Sequence, residues 1–167
     1  ITAGIVTATG LEVGTAATAI TVTGFSVGIG STQPTAKLDV QGAVKLKTYS
    51  ENVEALTITA NVVTIDLTTA QSFTLEVTSD VNEFRVTNIP TGSTSFSLKI
   101  TQDATGSRAV GIDTFKDNSG SAIPLYWPGG GIVPIVTQTA SKTDMYSFKT
   151  FDGGSTFLGV VGGQNFA

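Results

Sequence analysis

Polar and apolar residues alternate along most of the chain from about Leu56 onward, and this pattern constrains the fold more than any other feature. Residues 73–77 (FTLEV) and 95–101 (SFSLKIT) carry an apolar side chain at every second position. A period of two is typical of a strand with one buried face. Turn-forming stretches such as residues 152–154 (DGG) separate these segments. We therefore predict an all-β chain with an antiparallel, jelly-roll-like β-sandwich over residues 51–167.

The first 35 residues contain an internal repeat with an offset of 14 residues. Residues 5–14 (IVTATGLEVG) align with residues 19–28 (AITVTGFSVG). The repeat leaves four apolar side chains without a partner inside one chain: Leu11, Val13, Phe25 and Val27. Because burying each is worth about 1.5–3 kcal/mol, we predict that three chains wind together into a short intertwined β stalk over residues 1–50. A flexible Gly/Thr linker is the alternative interpretation.

The composition excludes several classes of function. Of the 167 residues only 13% are charged, the formal net charge is -4, and the chain has neither Cys nor His. Without His the commonest general base and metal ligand is missing, and without Cys there is no disulfide framework or thiolate site. The negative charge argues against nucleic acid as a partner. No apolar run of about 18 residues exists, so we expect no membrane insertion.

The remaining candidates for chemistry are the acidic residues. Glycan hydrolysis needs two carboxylates about 5–9.5 Å apart across a cleft, but most acids here lie between apolar strand positions or in turns. Residues 113–120 (DTFKDNSG) suggest calcium, yet they lack the alternating acidic spacing of a calcium loop, and Lys116 stands in the middle. We therefore predict a surface loop there, with no catalytic residue, no cofactor and no metal site.

An aromatic pair precedes a run of three glycines near the C-terminal third of the chain. Tyr126 and Trp127 are followed by Pro128 and then by Gly129–Gly131. If exposed, the pair would form a surface-contact loop whose rings stack on sugars. The interpretation that we favour is that Trp127 closes one end of the sandwich, because large aromatic side chains usually bury most of their area.

Two segments resemble a known class of protein. Residues 27–42 read VGIGSTQPTAKLDVQG, which resembles a segment that recurs in trimeric phage tail fibres and related bacterial surface fibres. Residues 88–106 (NIPTGSTSFSLKITQDATG), continued by WPGG at 127–130, resemble a β-sandwich domain of tail-fibre and other virion proteins. The likeness is nearest to fibre proteins of phages that infect marine cyanobacteria.

The resemblance implies a virion structural protein, a homotrimeric fibre of a tailed phage on the surface of the particle. Its partners would be other virion proteins and a glycan or protein on the host surface. A capsid or tail decoration protein and a cellular surface adhesin or filament are the alternatives, with a glycan depolymerase the least favoured. Because the chain begins at Ile1 without Met, we expect a processed product or a piece of a longer protein.

Overall fold

The computed structural model describes residues 20–23 and 25–167, and these residues are mostly in β-strands. The all-β prediction is therefore confirmed. The chain divides into two compact units, Ile1–Tyr49 and Ser50–Ala167, one residue away from the division predicted at residue 50. Leu11 and Val13 lie outside the described residues. No helix in the described part is long and apolar enough to span a membrane.

The first unit contains a three-stranded sheet in its described part. The strands are β1 Ile20–Thr23, β2 Ser26–Ile29 and β3 Leu38–Val40. β1 and β2 form an antiparallel pair, whereas β3 returns to lie parallel to β2. The Gly/Ser/Pro-rich residues 30–37 make this return, as expected for residues that favour turns.

The second unit is built from eleven strands and one short helical turn. In chain order they are β4 Val53–Leu56, β5 Ile58–Thr59, β6 Val62–Asp66, β7 Ser72–Val77, β8 Glu83–Thr87, β9 Thr94–Gln102, β10 Phe115–Lys116, β11 Ala122–Ile123, β12 Leu125–Tyr126, α1 Pro128–Gly131, β13 Thr143–Thr150 and β14 Phe157–Phe166. Gly129 and Gly130 have positive φ angles of 72° and 83°, so α1 is a tight turn and not a regular helix.

The strands of the second unit form two sheets around one core. One sheet has the order β11-β10-β8-β6-β5 and the other has the order β12-β14-β13-β9-β7-β4. Five of the nine strand pairings are parallel and four are antiparallel. The sandwich is thus mixed, so the prediction of an antiparallel sandwich is wrong, and the strand order differs from that of a jelly roll.

Three of the five parallel pairs arise because the chain crosses from one sheet to the other at every connection between β6 and β10. β6, β8 and β10 are neighbours in the five-stranded sheet, and β7 and β9 are neighbours in the six-stranded sheet. Two parallel neighbours need a crossover connection of about a dozen residues or more. Here each crossover is itself a strand of the opposite sheet. Alternating polarity predicts that one face is buried, but it carries no information on strand direction.

Aromatic rings fill the core between the two sheets. The Phe115 ring of the five-stranded sheet lies 4.9 Å from Phe148 and 5.5 Å from Phe157 of the six-stranded sheet, centroid to centroid. Phe96 lies 5.0 Å from Phe148. All four rings are almost completely buried. Edge-to-face and tilted ring pairs of this kind add about 0.5–1.5 kcal/mol each beyond their area burial.

Candidate assembly surfaces

One face of the three-stranded sheet in the first unit consists only of aliphatic side chains. The strand register aligns Val22 with Val27 and Val27 with Leu38, and the neighbouring row aligns Ile20, Ile29 and Val40. We call this set the β1–β3 face: Ile20, Val22, Val27, Ile29, Leu38 and Val40. Four of the six are exposed by 43–70% and the two others are half-buried. In the described part of this unit, only Gly28 and Ser31 are fully buried, so the face has no core beneath it.

Two predicted stalk contacts, Val27 and Phe25, fall within the described residues, and they lie in different parts of the first unit. Val27 lies in the middle of the β1–β3 face. Phe25 lies in the turn between β1 and β2 and is 91% exposed, with the Lys37 ammonium 5.5 Å from its ring centroid. The sequence repeat indicated these two residues, but Ile29 and Leu38 are revealed only by the register of the sheet.

Residues 27–42 fold into one local structure. Asp39 accepts hydrogen bonds from the Thr35 N–H at 3.0 Å and from the Ser31 hydroxyl and the Gln41 amide at 3.2 Å each. These bonds, the Thr35 N–H first, hold the pKa of Asp39 below its usual value. A Cβ on Gly28 would lie 2.4 Å from the Ser31 carbonyl oxygen, so only glycine fits there. The motif residues thus fix the return from β2 to β3.

The outer face of the five-stranded sheet in the second unit is polar and charged. Lys116 Nζ lies 2.6 Å from a Glu83 carboxylate oxygen, and the Arg85 guanidinium contacts the other oxygen of the same carboxylate. Both bases lower the pKa of Glu83. A shallow depression of about 310 Å³ beside Arg85 is lined mainly by threonines. This face is typical of a surface that remains in water.

The outer face of the six-stranded sheet differs, because a continuous band of apolar side chains crosses one side of it. We call this band the β14 stripe: Tyr126, Met145, Leu158, Val160 and Phe166. Tyr126 and Leu158 are neighbours across β12 and β14. Met145 lies over Gly162 and the Phe166 ring lies over Gly163, since a Cβ on either glycine would meet those side chains. Each of the five side chains is 43–57% exposed.

Sequence reasoning missed the β14 stripe, although β14 carries one signal that could have revealed it. The ten residues Phe157–Phe166 (FLGVVGGQNF) contain no charged residue. A strand with one face in water normally alternates apolar and polar residues. Here Leu158 and Val160 occupy the outward positions while Phe157 is buried.

The structure separates the two aromatic residues of the predicted contact loop. Trp127 is only 5% exposed, and its indole Nε1–H donates a hydrogen bond to the Ile112 carbonyl oxygen at 3.1 Å. Its ring packs on Tyr146 and Phe148 at centroid distances of 5.9 and 5.8 Å. Trp127 thus lies at the end of the core, which is the interpretation favoured from the sequence. Tyr126 remains exposed and belongs to the β14 stripe.

A buried carboxylate holds the last strand, β14, in place through hydrogen bonds. Asp144 accepts hydrogen bonds from the N–H groups of Thr137 at 2.7 Å and Asn165 at 2.8 Å. The Tyr146 hydroxyl and the Gln164 amide donate to the same carboxylate. Burial raises the pKa of Asp144, but the hydrogen bonds outweigh it, so the pKa lies below its usual value. No local sequence pattern indicates this network, because its members are up to 28 residues apart.

Several other acids accept hydrogen bonds in turns. Asp103 accepts the Gly106 N–H at 2.7 Å, and Asp117 accepts the N–H groups of Ser119 and Ser121 at 2.8 and 2.9 Å. The Gly106 N–H lowers the pKa of Asp103. The Ser119 hydroxyl, which donates to Asp117 at 2.6 Å, lowers the pKa of Asp117 together with the two N–H groups. In the part of the chain that the structure describes, no three acids converge into a metal-binding group. The Asp117 carboxylate organises the loop of residues 113–120 through its hydrogen bonds with Ser119 and Ser121.

A cleft of about 530 Å³ lies at one end of the sandwich. Its walls come from residues 81–82, 109–113 and 133–138, and they are largely aliphatic, with Asp113, Asn82 and Gln138 as polar members. The cleft is wide open, and nothing in its lining brings several polar groups to one point. The chain matches no protein-family model, no curated protein and no solved structure.

Proposed function

We propose that this protein is a homotrimeric structural protein, a fibre of a tailed-phage virion, whose first unit joins three chains and whose second unit forms the head. The observation that carries the proposal is the β1–β3 face, whose aliphatic side chains are exposed or half-buried in the described part of the chain. Aliphatic side chains that remain in water forgo about 1.5–3 kcal/mol each. Packing against copies of the same chain recovers this free energy, and closed symmetric assemblies are the usual outcome for identical chains.

The phage assignment rests on the resemblance carried by residues 27–42 and 88–106. The first of these segments forms the return that places β3 beside β2, so the motif builds the edge of the β1–β3 face. Contact with other virion proteins, and with a glycan or protein of the host surface, follows from the same assignment. A fibre on the particle surface needs no catalytic group, which agrees with acids that serve mainly as hydrogen-bond acceptors in turns.

The first test is the mass of the chain in solution. Sedimentation equilibrium or mass photometry of the full chain is expected to give three times the chain mass of 17.1 kDa. Leu38→Ser removes an aliphatic side chain from the β1–β3 face and is expected to shift the mass toward the monomer. Val44→Ser is the matched control, because Val44 is also 60% exposed but lies outside the three strands. A monomeric natural chain would show the proposal to be wrong.

The second test concerns location. Antibodies raised against the second unit should label intact phage particles at the tips of projecting fibres. Labelling spread evenly over the capsid would favour a decoration protein, and labelling of uninfected cells would favour a cellular adhesin.

A further inference from the structure

We infer that the β14 stripe is a contact surface for the same unit of a second copy of this chain. The inference rests on the proposed function, because it assumes that copies associate. It adds that the head takes part in the association and names the surface. The first argument is the contrast between the two outer faces. The charged face around Glu83 contains ion pairs between its own side chains, whereas the apolar side chains of the stripe are about half exposed in the described structure.

The size of the stripe supports a protein partner. At roughly 200 Å² for a fully exposed large side chain, five side chains that are about half exposed present on the order of 500 Å². The largest apolar patch on a typical monomer measures about 300–600 Å² and is often functional. A standard interface buries about 800 Å² on each partner. The stripe therefore supplies more than half of one side of an interface, and neighbouring small side chains such as Ser97 and Ser147 would supply the rest.

The edge of β14 has only part of the protection that strands usually have against pairing with other chains. β12 pairs only with Phe157 and Leu158, so residues 159–166 have no strand on that side in the described structure. Natural edge strands are protected by charged residues, especially Lys, by Pro or by β-bulges. β14 contains no charged residue and no Pro, although its pairing with β13 is irregular near Met145. The missing charges favour cover of this edge by another chain.

Charge on the same sheet face indicates that the partner is a second copy. Lys149 on β13 is aligned with Leu158, and Lys99 on β9 is aligned with Met145, so two lysines border the stripe. Beyond them, Glu76 on β7 points outward, and Glu51 accepts a 2.6 Å hydrogen bond from Ser72 on the same face. In a cyclic assembly, the edge of one sheet that carries β12 and β14 meets the edge of the next copy's sheet that carries β7 and β4. The two lysines beside the stripe then lie on the side that faces Glu76 and Glu51 of the neighbouring copy.

Because the chain has no Cys, a single engineered thiol reports the accessibility of one site. Val160→Cys places the thiol in the middle of the stripe. Thr64→Cys is the matched control on the outer face of the five-stranded sheet, where Thr64 is exposed. Each full-length variant is reacted with a maleimide under native conditions, its oligomeric state is measured in parallel, and the reaction is repeated in denaturant.

We expect V160C to react at least tenfold more slowly than T64C in the native assembly and equally fast in denaturant. Val160→Lys should promote dissociation on dilution, whereas Thr64→Lys should not. Equal native reactivity in a chain that is still assembled overturns this inference and leaves the proposed function intact. A monomeric chain overturns both. Protection that develops only after adding phosphatidylcholine vesicles would assign the stripe to a lipid surface and overturn the inference as well.

Discussion

At the scale of single residues, the turns of the second unit depend on carboxylates that accept several hydrogen bonds. Asp152 lies between β13 and β14. It accepts the Thr156 N–H at 3.0 Å and the hydroxyls of Thr156 and Thr150 at 2.8 Å each. These bonds, the Thr156 N–H first, lower the pKa of Asp152 from 3.8 to about 2. Since the folded pKa is below the unfolded one, the carboxylate stabilises the fold above pH about 4, and this is lost as the pH falls toward about 2.

We therefore expect Asp152→Asn to lower the thermal midpoint at pH 7 and to flatten its dependence on pH between about 4 and about 2, because the amide cannot ionise. Circular dichroism melts at a series of pH values measure both effects. Asp113→Asn is the control, since the described structure gives the Asp113 carboxylate no hydrogen bond, and it should keep the natural midpoint at pH 7. An unchanged midpoint for Asp152→Asn would mean that the turn does not depend on this carboxylate.

The sequence could identify turn residues such as Asp152 and it favoured a buried Trp127, but it could not show which residues the Trp127 side chain contacts. The position of Trp127 is decided by Ile112, 15 residues earlier, and by Gly159, 32 residues later. Contacts between residues so far apart in the chain produce no periodic pattern in the sequence around Trp127.

At the scale of elements, the spacing of the apolar residues predicted most of the long strands. The segments FTLEV and SFSLKIT lie within β7 and β9, with Phe73, Phe96 and Leu98 buried as their alternation requires. Strand direction was not predictable, because alternation is the same in parallel and antiparallel strands. The exposed apolar positions of β14 were missed as well, although the absence of charged residues from this strand was a signal for them.

Close packing between β14 and Trp127 gives a prediction at this scale. A Cβ on Gly159 would lie 2.8–3.0 Å from three ring atoms of Trp127, and the hydrogen bond to Ile112 restrains the indole. We expect Gly159→Ala to lower the free energy of unfolding by about 1–3 kcal/mol, the usual cost of overpacking a core. Gly111→Ala is the control, since a Cβ there has contacts no shorter than 3.6 Å. Urea titrations of both variants measure the difference, and equal midpoints would show that Trp127 can move aside.

At the scale of the whole molecule, the all-β class could be predicted, because alternating polarity recurs along most of the chain. The proposed association surfaces could be predicted only in part. The repeat identified Val27, but the β1–β3 face also needs β3, whose register with β2 is a property of the fold. Exposure of the β14 stripe depends on the order of β12, β13 and β14 in the sheet. The residue pattern within a single strand contains no information on that order.

The dependence of stability on concentration gives the last prediction. If the folded state is a trimer and the unfolded state a free chain, a tenfold increase in chain concentration stabilises each folded chain by about 0.9 kcal/mol, two-thirds of the free energy of a tenfold change. For a chain of this length that corresponds to a rise in Tm of about 2–4 °C. Differential scanning calorimetry across two decades of concentration should show this rise for the natural chain and for Val44→Ser. Leu38→Ser should melt at a temperature that varies less with concentration. If the natural chain unfolds reversibly and its Tm does not change with concentration, its stability arises within a single copy. That result would contradict assembly through the β1–β3 face.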